Sequence, residues 1–202
     1  IQTAGDGVVL MGWCMDHADK PLDYKMTEEE YQAQRQNAEG SMKDRSLRFF
    51  EVRKRFLDHD ILRWRALNTP YRPLWDHLKS RGGEGVVILT HKNREAVMNL
   101  CHFYGLMVVS DNIFSGDLGV SKIDNLLQIQ ASFGQCDYAF VDDNIANLRE
   151  LDGYFNRKQP IIRLLLAAWG YIGPDDQRKS DKLGYPFVSQ DDVVAMLDNG
   201  HG

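Results

Sequence analysis

The sequence predicts an α/β fold: a doubly wound, Rossmann-like parallel sheet in three layers, with an inserted helical cap. Three observations predict it. Short β-branched or aromatic runs alternate with helix-patterned segments along the 202 residues, as in a parallel sheet covered by helices. One charged segment between the first two runs is helical in pattern and holds no strand-like run. A hydroxyl, a lysine and an acidic pair follow later runs, where open α/β sheets collect their chemistry.

The predicted strands, in chain order, are Val8-Val9-Leu10-Met11, Val86-Val87-Ile88-Leu89, Leu106-Met107-Val108-Val109, Tyr138-Ala139-Phe140-Val141 and Ile161-Ile162-Arg163-Leu164-Leu165-Leu166. Short runs of this composition suit strands buried on both faces. Between the second and third, Ala96, Val97, Leu100 and Phe103 predict a helix from Asn93 to Tyr104. Leu126, Leu127, Ile129 and Ala131 predict another from Ile123 to Phe133. Residues 21–68 form the expected cap. There Thr27 precedes Glu28-Glu29-Glu30 as an N-cap precedes acidic first-turn residues, and Phe49, Val52, Phe56, Leu57, Ile61 and Trp64 mark apolar stripes. Pro70 to Lys79 should be helical, ended by Gly82-Gly83-Glu84-Gly85. The expected organisation is a core of residues 1–20 and 69–202 interrupted by the cap.

Composition narrows the functions. A formal net charge of −5 argues against a general nucleic-acid binder. Cys14, Cys101 and Cys136 form no CxxC pair, so neither a disulfide framework nor a zinc site is expected, and a reducing cytoplasm is the default location. No apolar run approaches the roughly 20 residues of a membrane span, so no membrane partner is expected. The start at Ile1, without Met or a signal-like region, reads as trimmed, and an N-terminal extension stays open.

The chemistry-bearing residues lie just past the runs. Thr90 follows the second run, Ser121-Lys122 opens a helix after the Ser110–Val120 loop, and Asp142-Asp143-Asn144 follows the fourth. A hydroxyl and an ammonium hold phosphate oxygens, while carboxylates hold Mg²⁺. Taken singly, Thr90 would cap the helix near Asn93, Lys122 would be a solvated lysine, and the acidic pair would cap the helix from Ile145.

As an ordered set these residues resemble the second, third and fourth motifs of the haloacid dehalogenase (HAD) superfamily, spaced by 122 − 90 = 32 and 142 − 122 = 20 residues. The insertion looks like that superfamily's C1-type cap, Pro70 to Leu78 resembles the segment leading back to the core, and Ala168-Trp169-Gly170-Tyr171 is similar to a segment of phosphoglycolate-phosphatase-like members. The resemblance implies a phosphatase-like site with Thr90 and Lys122 in catalytic positions, Thr90, His91 and Lys122 on phosphate, and Asp142 and Asp143 on a weakly held Mg²⁺. Aligned on the first predicted strand, the family's two first-motif aspartates fall at Gly12 and Cys14, and Asp16 takes the following place. Glycine can neither attack phosphorus nor protonate a leaving group.

The expectation is therefore a catalytically impaired pseudoenzyme acting by binding a ligand or partner. The alternatives are an active Mg²⁺-dependent hydrolase with a nonstandard nucleophile, and an interaction domain with a vestigial pocket. Cys14 is a conceivable replacement nucleophile, although buried cysteine at a strand end is commoner. The spacing of Asp16 and Asp19 does not reproduce the motif, and His17, His91 and His102 share no metal-ligand spacing. Within the cap, Lys43, Arg45, Arg48, Arg53, Lys54, Arg55, Arg63 and Arg65 outnumber Asp44, Glu51, Asp58 and Asp60. Solvated, ion-paired helix faces are the simpler reading; a docking face for a phosphate-containing small molecule or a protein partner is the sharper one.

Overall fold

The first apolar run is helical, not a strand. In the computed structural model, which describes residues 4–21, 24, 26–116, 120–134 and 136–199, Val8 to Met11 lie inside α1 (Ala4–Asp16). Gly5, Val9 and Trp13 are buried at i, i+4 and i+8, while Met11 and Met15 face solvent. That helical period outweighs the β-branched pair Val8-Val9. The chain divides into two units, residues 1–68 and 69–202, so residues 1–20 group with the cap segment and not with the sheets.

The first unit continues with α2 (Glu28–Asn37), α3 (Met42–His59) and α4 (Ile61–Ala66). Thr27 and Ser41 each close a capping box, with Glu30 and Asp44 as reciprocal partners. Helix α1 packs on α3 and α2. At Gly5 a side chain would meet the Met42 carbonyl oxygen at 2.8 Å, so the missing Cβ sets how closely α1 and α3 approach. Ser41→Ala should cost about 1 kcal/mol of the stability of this unit, read by urea denaturation followed by circular dichroism. An unchanged midpoint would mean that this cap contributes nothing.

Three basic residues of this unit are committed within it. Arg45 is buried and donates to the carbonyl oxygens of Ala38, Glu39 and Gly40, tying the turn between α2 and α3. Lys54 pairs with Asp58 one turn on, and Arg53 lies over the Phe50 ring.

The second unit contains all five described strands. They are β1 (Ile88–Thr90), β2 (Ile113–Ser115), β3 (Tyr138–Asp142), β4 (Ile162–Ala167) and β5 (Phe187–Val188). Its helices are α5 (Arg72–Ser80), α6 (Arg94–Tyr104), α7 (Lys122–Phe133), α8 (Ile145–Phe155), α9 (Asp176–Leu183) and α10 (Gln190–Asn199). Every strand pairing is parallel, but there are two sheets: β1 with β2, and β3-β4-β5.

The predicted strand at Leu106 to Val109 is displaced to Ile113–Ser115. Leu106 is buried, yet Met107 and Val109 are exposed, so this run lies against the core along one face only. At Gly83, with positive φ, a Cβ would sit 2.4 Å from the Met107 carbonyl oxygen, so the glycine turn and this run pass too closely for any side chain. Part of the Ser110–Val120 loop, residues 117–119, lies outside the described residues.

Alternating strand residues feed opposite faces. Val87, Leu89, Phe114, Phe140, Leu164, Leu166 and Phe187 belong to the core under α7 and α8. On the other side, Ile88 and Ile113 pack with Trp75 and Leu78 of α5 and Val97 of α6, and Val141, Leu165 and Val188 pack with Leu74 of α5 and Val193 of α10. The unit is therefore an α/β arrangement in which helices cover both faces of parallel strands that form two sheets.

A candidate anion site at the carboxyl ends of the strands

Lys122 is the first residue of α7, behind the N-cap Ser121, and it is buried. A cation at a helix start opposes the helix dipole, so it needs a compensating anion. Asp142, the last residue of β3, provides it: Nζ donates to Oδ2 at 2.9 Å, and both side chains are nearly enclosed. The ammonium also lies 5.2 Å from the centre of the Phe140 ring. Asn125, one turn along, is buried and donates to the carbonyl oxygen of Ser115, which fixes α7 to the end of β2.

Thr90 ends β1, and its hydroxyl accepts from the Lys92 N–H at 3.1 Å. It does not cap the next helix; Asn93 does so, accepting from Ala96 N–H. His91 follows it. Partial burial of the ring, then the Lys122 ammonium, hold His91 below the ordinary histidine value of 6.5, against the opposing pull of Asp142 and Glu150. His91 thus feels both members of the buried pair. Of the residues the motifs bring forward, Lys122 and Asp142 meet directly.

The acidic pair is divided in its work. Asp142 accepts from the Asn144 N–H (2.8 Å), from Asn147 Nδ2 at both oxygens (3.0 and 3.1 Å) and from Lys122. Asp143 turns away, its Oδ2 accepting the Tyr171 N–H at 2.8 Å across Gly170. Neither residue caps α8; Asn144 does, accepting from the Ala146 N–H. Three of their four carboxylate oxygens serve protein donors, and no group of three or more metal-holding side chains occurs among the described residues.

Gly12 and Cys14 lie on α1 in the other unit, and Cys14 is exposed. The alignment that put them in first-motif positions rested on a strand that is a helix, and it is withdrawn along with Cys14 as a strand-end nucleophile. Asn125, Asn147 and Gly170 were not singled out from sequence for these roles. Only Asn147 left a signal, lying one turn into the helix that follows the acidic pair, where it can reach back to Asp142.

A concavity of about 940 Å³ lies at the opposite ends of β3 and β4, lined by Tyr138, Ile161 and Arg163 among others, and holds none of these residues. No family model, curated protein or solved structure matches the chain. No helix among the described residues is long and apolar enough to cross a membrane.

Proposed function

We propose that this chain is a HAD-like, phosphatase-like protein that binds a phosphate-containing small molecule through Thr90, His91 and Lys122 and, in these 202 residues, does not hydrolyse it. The observation that carries the reading is the enclosed Lys122 ammonium, which has three N–H donors and gives one to Asp142. The position supports it too. Lys122 opens a helix and Asp142 ends a parallel strand, the kind of place where open α/β folds collect their ligands. The first-motif substitutions no longer argue for inactivity. The engagement of Asp142 does, because both of its oxygens accept from Lys122, Asn144 and Asn147 and so serve protein donors instead of a metal ion.

Because Asp142 already offsets the lysine charge, affinity should be low: millimolar phosphate, about −4 kcal/mol. Phosphate titration followed by NMR should shift the amides of His91 and Lys122. Mg²⁺-dependent turnover of a phosphate monoester, abolished by Asp142→Ala, would overturn the proposal.

The lowered His91 value gives a second check. Sulfate keeps its charge across the range, so any pH dependence of its binding comes from the protein. As pH falls below the ordinary 6.5 and through the lowered value, His91 gains a charge, and sulfate should bind about tenfold more tightly. His91→Gln should flatten that profile. A profile unchanged by the substitution would remove His91 from the site. The same shift opposes folding in acid, since the unfolded chain takes up this proton first as pH falls.

A further inference from the structure

The concavity at the amino ends of β3 and β4 measures about 940 Å³, which falls within the roughly 300–1,000 Å³ of small-molecule sites. Its walls are held by side chains of the same unit. Asn156, just past α8, accepts the Ile161 and Ile162 N–H on one oxygen and donates to the Ile162 carbonyl oxygen, which fixes the chain entering β4. The Tyr138 hydroxyl donates to the Gly134 carbonyl oxygen at 2.6 Å, which ties the start of β3 to the end of α7. Walls fixed in advance spare a ligand the cost of ordering them. Four polar side chains of the lining, Gln130, Asp137, Gln159 and Arg163, have no hydrogen-bond or ion-pair partner among the described residues. Asp137 and Arg163 are therefore opposite charges that share one concavity without pairing with each other.

We propose that this concavity binds a free α-amino acid with an apolar side chain, its carboxylate on Arg163 and its ammonium on Asp137. A ligand of one charge meets a like charge here: Asp137 repels an anion and Arg163 repels a cation. A zwitterion offsets both at once. The guanidinium presents a fork of N–H donors that matches a carboxylate, and the amides of Gln130 and Gln159 can donate or accept as the ligand requires. Pro160, Ile161 and Ile162 give the same space an apolar wall, which calls for an aliphatic side chain beside the charged groups. Both charged side chains are exposed, so water competes for each contact and binding should be in the millimolar range. None of these residues belongs to the Lys122 site, and the two sites stand or fail separately.

Titration of the whole chain with L-leucine, followed by NMR, tests it: the amides of 136–138 and 161–163 should shift together and saturate. Two probes each lack one charge. The carboxylate 4-methylpentanoate has no ammonium, 3-methylbutylamine has no carboxylate, and each should bind about fivefold more weakly than leucine. Arg163→Gln should weaken leucine by a similar factor without weakening the amine, and Asp137→Asn should weaken leucine without weakening the carboxylate. Both side chains face solvent, so either variant should keep the fold, which the rest of its amide spectrum reads. Three outcomes would overturn the proposal: no saturable shift with leucine at these amides, equal affinity for all three probes, or a substitution that weakens all three alike.

Discussion

Lys122→Met is expected to destabilise the second unit by about 3 kcal/mol and to abolish sulfate binding. Removing one member of a buried ion pair strands the other, and the stranded charge sets the cost. The pair here is well enclosed, with side-chain exposures of 6% for Lys122 and 11% for Asp142, so solvent does little to soften the loss. Asn144 and Asn147 still donate to Asp142, which keeps the cost at the lower end of the range for such pairs. Adding Asp142→Asn should recover at least half of the stability, because the stranded charge is then gone, but not the anion binding. Denaturation followed through the amide signals of β3 and β4 reads the first effect, and sulfate titration reads the second. A single substitution costing under about 1 kcal/mol would mean that the pair is solvated.

Gly170→Ala is expected to cost roughly 3 kcal/mol despite adding one methyl group. A Cβ at position 170 would lie 2.1 Å from Asp143 Oδ2, 2.2 Å from its Cβ and 2.5 Å from its Cγ. Contact with the base of the side chain cannot be relieved by swinging its tip, so β3 and the turn after β4 must separate. The Tyr171 N–H then loses its carboxylate. Asp143→Gly removes the obstacle, and on that background the second substitution should cost little. A strongly non-additive cycle is the expected signature, and additive costs would show that the two residues do not meet.

The second unit was largely legible in the sequence, and the reason differs by element. Asn93 to Tyr104 and Ile123 to Phe133 carry clear helical periods with polar caps, and they form α6 and α7 within a residue of expectation. Tyr138 to Val141 and Ile161 to Leu166 are strands, because runs apolar on both faces suit a covered sheet. Val8 to Met11 misled because a four-residue apolar run does not by itself distinguish a strand from one turn of helix; Gly5, Val9 and Trp13 show the longer period that decides it. The short β5 and helices α9 and α10 left weaker signals and were not predicted. At the candidate site, Thr90, Lys122 and Asp142 stand out by their positions beyond apolar runs, whereas His91 enters only through the family resemblance. Asn125 and Gly170 were not given their roles, since each is defined by a neighbour far along the chain.

By itself the sequence determined the α/β alternation, the cap at Thr27, and the chemistry available at the strand ends. These are local consequences of side-chain period and of which groups can satisfy helix-end N–H donors. Tertiary structure decided that Lys122 and Asp142 meet, that Asp143 accepts from Tyr171, that residues 1–20 join the helical unit, and that the parallel strands form two sheets. Each depends on pairing between segments far apart in the chain, and burial of a charge or a strand edge is fixed only when the distant partner that satisfies it is in place.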